Sequence, residues 1–164
     1  MIILCDIDGV VADCTHRLKY LENKDYDKFY SADEILNDKP IELGIDLITM
    51  LADSYLCELY YVTGRPYRTE EATKAWFKRH GVPIAPMIMR HDHDFRKSEI
   101  VKAETLEKFL ANTEVEPNSM IFIDDDPLNV AGVCRKHPQI KGLTFGAERL
   151  DRIIELSDRY KGLL

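Results

Sequence analysis

Only four cysteines occur in the 164 residues, Cys5, Cys14, Cys57 and Cys134, and no two stand at metal-ligand spacing. Cys5 and Cys57 fall in strand-like runs. The pattern excludes a thiolate zinc site and reads as reduced thiols rather than a disulfide frame. Long apolar runs are also missing. None approaches the roughly 18 residues of a membrane span, and no charged-then-apolar leader follows Met1. A soluble, cytoplasmic protein with no membrane partner is expected. Positive charge is scarce: 22 Lys and Arg against 29 Asp and Glu leave a formal net charge of −7. The surface as a whole does not suit nucleic acid, although a local basic patch is compatible with that balance. There are no repeats and no low-complexity linker, and no G-x-x-x-x-G-K-[ST] loop, so nothing indicates P-loop phosphate chemistry.

What remains is ordinary globular composition, 45% hydrophobic and 31% charged. It fits a single domain over residues 1–164 with a sizeable core. Short apolar runs at residues 2–5, 56–62, 87–89, 120–123 and, more weakly, 143–145 read as strands. Such runs suit parallel strands buried on both faces. Helical patterns fall between them. Leu43, Leu47, Ile48 and Leu51 keep helical spacing. Residues 69–80 form a helix stopped by Gly81, with Pro83 beyond. Ser98 is the expected N-cap of a helix through Leu110, and Pro127 suits the first turn of a helix ending near His137. Residues 148–160 make a last amphipathic helix. The alternation predicts an α/β, Rossmann-like three-layer sandwich around a central parallel sheet, with minimal or no cap. Residues 19–40, polar and charged, read as a loop with a short helix, and the acids of residues 22–38 as a solvated face.

The chemistry sits at the strand ends. CDIDG follows the first strand, VTGRP the second and IDDDP the fourth. In open parallel sheets, sites gather at the carboxyl ends of the strands, so Asp6, Asp8, Thr63, Arg65, Asp124 and Asp125 should converge. Several carboxylates in one crevice call for a divalent cation, and hard oxygen ligands suit Mg²⁺. A hydroxyl, a lysine and arginines at the same mouth suit a phosphoryl group. The run His91, Asp92, His93, Asp94 is read as a solvated polar loop rather than a metal site, and Trp76 and Phe77 as core.

DIDGV, then VTGR, a helix lysine and IDDD resemble the four motifs of the haloacid dehalogenase superfamily. The resemblance implies that Asp6 is the nucleophile of an aspartyl-phosphate intermediate. It implies that Asp8 is the general acid and then the base that activates water. Thr63 would hydrogen-bond the phosphoryl oxygens, and Lys102, preferred over Lys97, would neutralise charge around Asp6. Mg²⁺ would bind the Asp6 carboxylate, the Asp8 backbone carbonyl and an acid of the fourth motif, Asp125 in preference to Asp124. A closer resemblance is to the 3′-phosphatase domain of phage-type polynucleotide kinases. It rests on Arg17, eleven residues after Asp6, on Arg65 after Gly64, on the stretch from Ile100 to Glu104, on WFKRHGVP, and on Arg96 and Lys97. Gly64, Arg65 and Arg17 would bind substrate, with Arg17 at the rim. One departure is Ser98, where the family has an aspartate four residues before the lysine. The expected activity is a stand-alone polynucleotide 3′-phosphatase. The alternatives are a small-molecule phosphatase such as a 5′-nucleotidase, or a catalytically silent phosphate-binding module. The expected partner is a phosphorylated substrate, including a nucleic-acid 3′ end, with no obligate protein partner.

Overall fold

A computed structural model describes residues 1–112 and 119–146. The chain starts in strand β1 (Ile2–Cys5), whose four residues are all buried. Its side chains alternate. Ile3 and Cys5 join one hydrophobic cluster, and Ile2 and Leu4 join another on the opposite face. Both faces of the strand are therefore covered, which is why an unbroken apolar run forms it.

Four more strands, β4 (Glu58–Pro66), β5 (Met87–Arg90), β6 (Met120–Asp124) and β7 (Lys141–Thr144), complete a sheet ordered β5-β4-β1-β6-β7. All four pairings are parallel. Helices α4 (Glu42–Ala52) and α5 (Glu70–His80) supply Ile45, Ile48, Trp76 and Phe77 to the first cluster. Helices α6 (Ser98–Ala111) and α7 (Pro127–Lys136) supply Ala103, Leu106 and Val133 to the second. The result is the three-layer α/β sandwich read from the sequence, with Trp76 and Phe77 in its core.

Local signals set the helix ends. α5 carries Glu70 and Glu71 in its first turn and Lys78, Arg79 and His80 in its last, which complements the helix dipole. Gly81 closes it in the left-handed region, at φ +68°. Asp126 caps α7 by accepting from the Leu128 amide, and Pro127 takes the first helical position. Ser98 departs from expectation: it is the first residue of α6, after Lys97 in the cap position, and no side chain caps the helix. The last expected helix, residues 148–160, lies outside the described residues.

Residues 19–40 are more structured than the sequence suggested. A short antiparallel pair, β2 (Ala12–Asp13) with β3 (Lys39–Pro40), brings the two ends of an insert together. Between them lie a 3-10 turn (Thr15–Arg17) and three short helices, α1 (Leu18–Glu22), α2 (Tyr26–Phe29) and α3 (Ala32–Leu36). α3 packs on α5. None of the three exceeds five residues, too short to show a helical period.

Candidate active site

The strand order places the site. From β1 the chain runs outward through β4 and β5, then returns to the other side of β1 for β6 and β7. A crevice opens where that order reverses, between the carboxyl ends of β1 and β6. Asp6 follows β1 and Asp124 ends β6.

Lys102, from the second turn of α6, joins the two. Its Nζ lies 2.6 Å from Asp6 Oδ2 and 2.6 Å from Asp124 Oδ2. All three side chains are buried. Asp124 is fully engaged, because its Oδ1 also accepts from the Asp126 amide and from Asn129 Nδ2. Asp6 is engaged on one side only: its Oδ1 is buried and has no hydrogen-bond partner among the described residues. Burial pushes the Asp6 carboxyl well above its ordinary range; Lys102 opposes this, and the charges of Asp124 and Asp8 reinforce it. Lys102 overcomes its own burial through Asp6 and Asp124 and is held charged. Lys97 is peripheral, its side chain 80% exposed.

Asp125 projects from the same strand end toward the first loop. Gly9 must be glycine there: its φ is +82°, and a Cβ would fall 2.1 Å from the Asp125 carboxylate. Desolvation, with the charge of Asp124, raises Asp125 to about 6. Carboxylate oxygens of Asp6, Asp124 and Asp125 all lie within 4.8 Å of one another. Three carboxylates so close together fit a hard divalent cation, and Asp124 is the member whose oxygens are already taken by protein donors.

Asp8 is placed differently from Asp6. Arg65 meets its carboxylate from Nε and from Nη2, the latter 2.7 Å from Oδ1, and Arg17 Nη2 lies 2.6 Å from the same oxygen. Burial opposes ionisation, but the two guanidinium groups outweigh it and hold Asp8 well below the usual carboxylate range. Both arginines also bind Asp38, Arg17 through Nε and Nη2, and Arg65 through Nη2 at 2.6 Å.

This arrangement corrects three expectations. Arg17 is not at the rim but fully buried. Arg65 is turned inward onto Asp8, Asp38 and Thr73, and neither arginine lines the cleft. Asp38 is no part of a solvated face: it is 3% exposed and bridges the two arginines. For Arg65 the cause lies in β4, where pairing with β5 shifts register between Thr63 and Pro66. The bulge leaves Gly64 on the cleft wall and sends Arg65 into the interior. Thr63 is buried beside it, and its Oγ1 accepts from the Arg65 amide.

The cleft itself has a volume of about 1050 Å³ and is lined by Asp6, Asp8, Gly64, Lys102, Asp125 and Asn129, among others. The insert forms one wall. Tyr30 fastens it by donating to the Gly64 carbonyl, 3.2 Å away. Sequence reasoning missed Asp38, Asn129 and Tyr30. For Asn129 there was a signal, its place one helical turn past IDDD.

A parallel α/β sheet with these acids and a buried lysine at its strand ends defines a haloacid dehalogenase-like phosphatase. The family model described as the polynucleotide kinase PNKP phosphatase domain matches residues 1–137, and the chain belongs to that family. Among solved structures, a chain of the Pnkp1/Rnl/Hen1 RNA repair complex matches with a TM-score of 0.67 at 19% identity, covering 87% of this chain and 41% of its own. A haloacid dehalogenase-like hydrolase from Streptococcus pneumoniae matches with a TM-score of 0.63 at 18% identity, covering 88% and 83%. A protein described as a predicted phosphatase from Clostridium acetobutylicum matches with 0.67 at 14% identity, covering 89% and 84%. At these identities the likeness is one of fold. The chain spans about two fifths of the repair-complex chain it matches. No curated protein matches it. Among the described residues no helix is long and apolar enough to cross a membrane.

Proposed function

We propose that this phosphatase is a Mg²⁺-dependent phosphomonoesterase that works through an aspartyl-phosphate on Asp6 and takes a nucleic-acid 3′ end as substrate. The observation that carries the chemistry is the asymmetry of the Asp6 carboxylate. One oxygen is fixed by Lys102 at 2.6 Å, and the other is buried with no partner among the described residues. A nucleophile needs that arrangement: an oriented group with one lone-pair face left free.

In the first step Asp6 Oδ1 attacks phosphorus, the bond to the leaving oxygen breaks, and Asp8 gives that oxygen its proton. In the second, water attacks phosphorus, Asp8 takes the water proton, and inorganic phosphate leaves with Asp6 restored. The arginines keep free Asp8 in its base form, ready for the second step. For the first step it must gain a proton, and an anionic phosphoryl group arriving beside it favours that form. Lys102 balances the charge of Asp6 throughout. Thr63, beside Gly64 on the cleft wall, would turn its hydroxyl to the phosphoryl oxygens. Mg²⁺, held by Asp6, Asp125 and the Asp8 carbonyl with Asp124 behind, would supply the positive charge that the phosphoryl oxygens need.

Three further points support the 3′-end substrate. The family match is to a polynucleotide kinase phosphatase domain, and one similar chain belongs to an RNA repair complex. The insert walls only part of the cleft, so a polymer end can enter. The test is a substrate panel with Mg²⁺: a 3′-phosphorylated oligonucleotide, 3′- and 5′-mononucleotides, sugar phosphates and an aryl phosphate. The oligonucleotide should give the highest kcat/KM. A higher value for a 5′-mononucleotide or sugar phosphate overturns the substrate reading, and no turnover of any member overturns the enzyme.

A further inference from the structure

The loop between β5 and α6 carries an exposed aromatic side chain that is no part of the core. Phe95 is 59% exposed, yet its backbone is held on both sides. Arg90 Nη1 donates to the carbonyls of Asp94 and Arg96, at 2.9 and 2.8 Å, the two residues that flank it. Arg96 is tied in turn to Asp94 at 2.7 Å and to Glu104 of α6 at 2.9 Å. Ion pairs and hydrogen bonds thus fix the loop while its one large apolar side chain stays in solvent.

Across the cleft wall stands Tyr26 of α2, its ring centroid 5.3 Å from that of Phe95 and tilted by 48°. Both rings line the same cleft as Asp6 and Asp8. Cations lie beside them. Lys97 lines the cleft, and Arg90 lines it with a buried Nε that has no partner among the described residues. A braced aromatic face next to cations fits a planar ring tied to a phosphate backbone. An acyl chain would need a continuous apolar groove, which this mixed lining does not offer. Stacking on a fixed ring also costs little ordering entropy.

We infer that Phe95, with Tyr26, forms the stacking platform for the base of the substrate's terminal nucleotide. The inference rests on the 3′-end reading above and assigns its specificity to the braced loop of residues 91–97. Removing a stacking partner typically costs about 1–3 kcal/mol per base, or roughly 5- to 150-fold in binding.

The experiment compares two oligonucleotides that differ only at the 3′-phosphorylated terminus, one with its terminal base and one abasic. Wild type should favour the base-bearing substrate by about tenfold, mainly through KM. In Phe95→Ala that ratio should fall toward one, in Phe95→Tyr it should persist, and Tyr26→Leu should lie between. Phe95 is largely exposed, so thermal melting of Phe95→Ala should match wild type and certify the fold. Hydrolysis of both substrates with equal efficiency by wild type, or an undiminished ratio in Phe95→Ala, overturns the stacking platform and leaves the 3′-phosphatase reading standing. Hydrolysis of neither overturns both.

Discussion

Arg17 and Asp38 meet in a two-pronged ion pair, Nε to Oδ1 at 2.8 Å and Nη2 to Oδ2 at 2.9 Å, with neither side chain open to solvent. Arg17 Nη2 also reaches Asp8, so one guanidinium ties the insert to the site. Arg17, expected at the rim, is instead buried against Asp8 and Asp38.

The first prediction follows. Arg17→Ala strips a buried partner from Asp38 and from Asp8, and should cost about 3–5 kcal/mol of stability, read by chemical denaturation. Arg17→Lys keeps the charge but not the fork, and should recover only part of it. Where the variant folds, kcat should fall for oligonucleotide and mononucleotide alike. Loss confined to the oligonucleotide would return Arg17 to the rim.

A second prediction separates the two aspartates of the first motif. Asp6→Asn should lower turnover by at least ~10³-fold on every substrate, because an amide cannot form the proposed covalent intermediate. Asp8→Asn should depend on the leaving group. It should cripple an alkyl phosphate far more than an activated aryl phosphate, which departs without a proton. Equal losses on both would make Asp8 structural.

The third concerns pH and metal. Asp125 is raised to about 6 in the folded protein, above its ordinary carboxylate value. An acid raised on folding binds more protons folded than unfolded, so it favours the fold at low pH and loses that contribution as pH climbs toward its folded value. Without divalent metal, melting temperature should therefore fall from about pH 4 to about pH 6, and Asp125→Asn should flatten the fall. Mg²⁺ should raise the melting temperature above pH 6 in wild type and much less in the variant. A Mg²⁺ effect unchanged by Asp125→Asn removes Asp125 from the ligand set.

The sheet was legible because its signals are local. An apolar run ending in Asp6, a glycine at a helix stop such as Gly81, and a proline in the first turn of α7 each act within a few residues. The acid cluster was legible because strand ends in a parallel sheet face one crevice. The burial of Asp38 was not, since its two counter-ions lie 21 and 27 residues away in sequence. Nor was the inward turn of Arg65, which depends on a register shift between β4 and β5. Ser98 shows the same limit. It is a good capping residue, but the backbone start of α6 falls at Lys97 and leaves its hydroxyl near Gly64.

The β2–β3 pair gives the insert a single seam. Its two ends lie side by side, Ala12 against Pro40 and Asp13 against Lys39, so the chain leaves the sandwich and rejoins it at one place. Beyond the seam the insert is stitched to the catalytic sheet by Tyr30 on Gly64, and to α5 by the carbonyls of Leu36 and Asp38, which accept from Arg79 and Trp76. Arg17 and Asp38 carry the heaviest constraint, because Arg65 and Asp8 close their charge through them. α1, none of whose residues is buried, is the stretch most open to replacement.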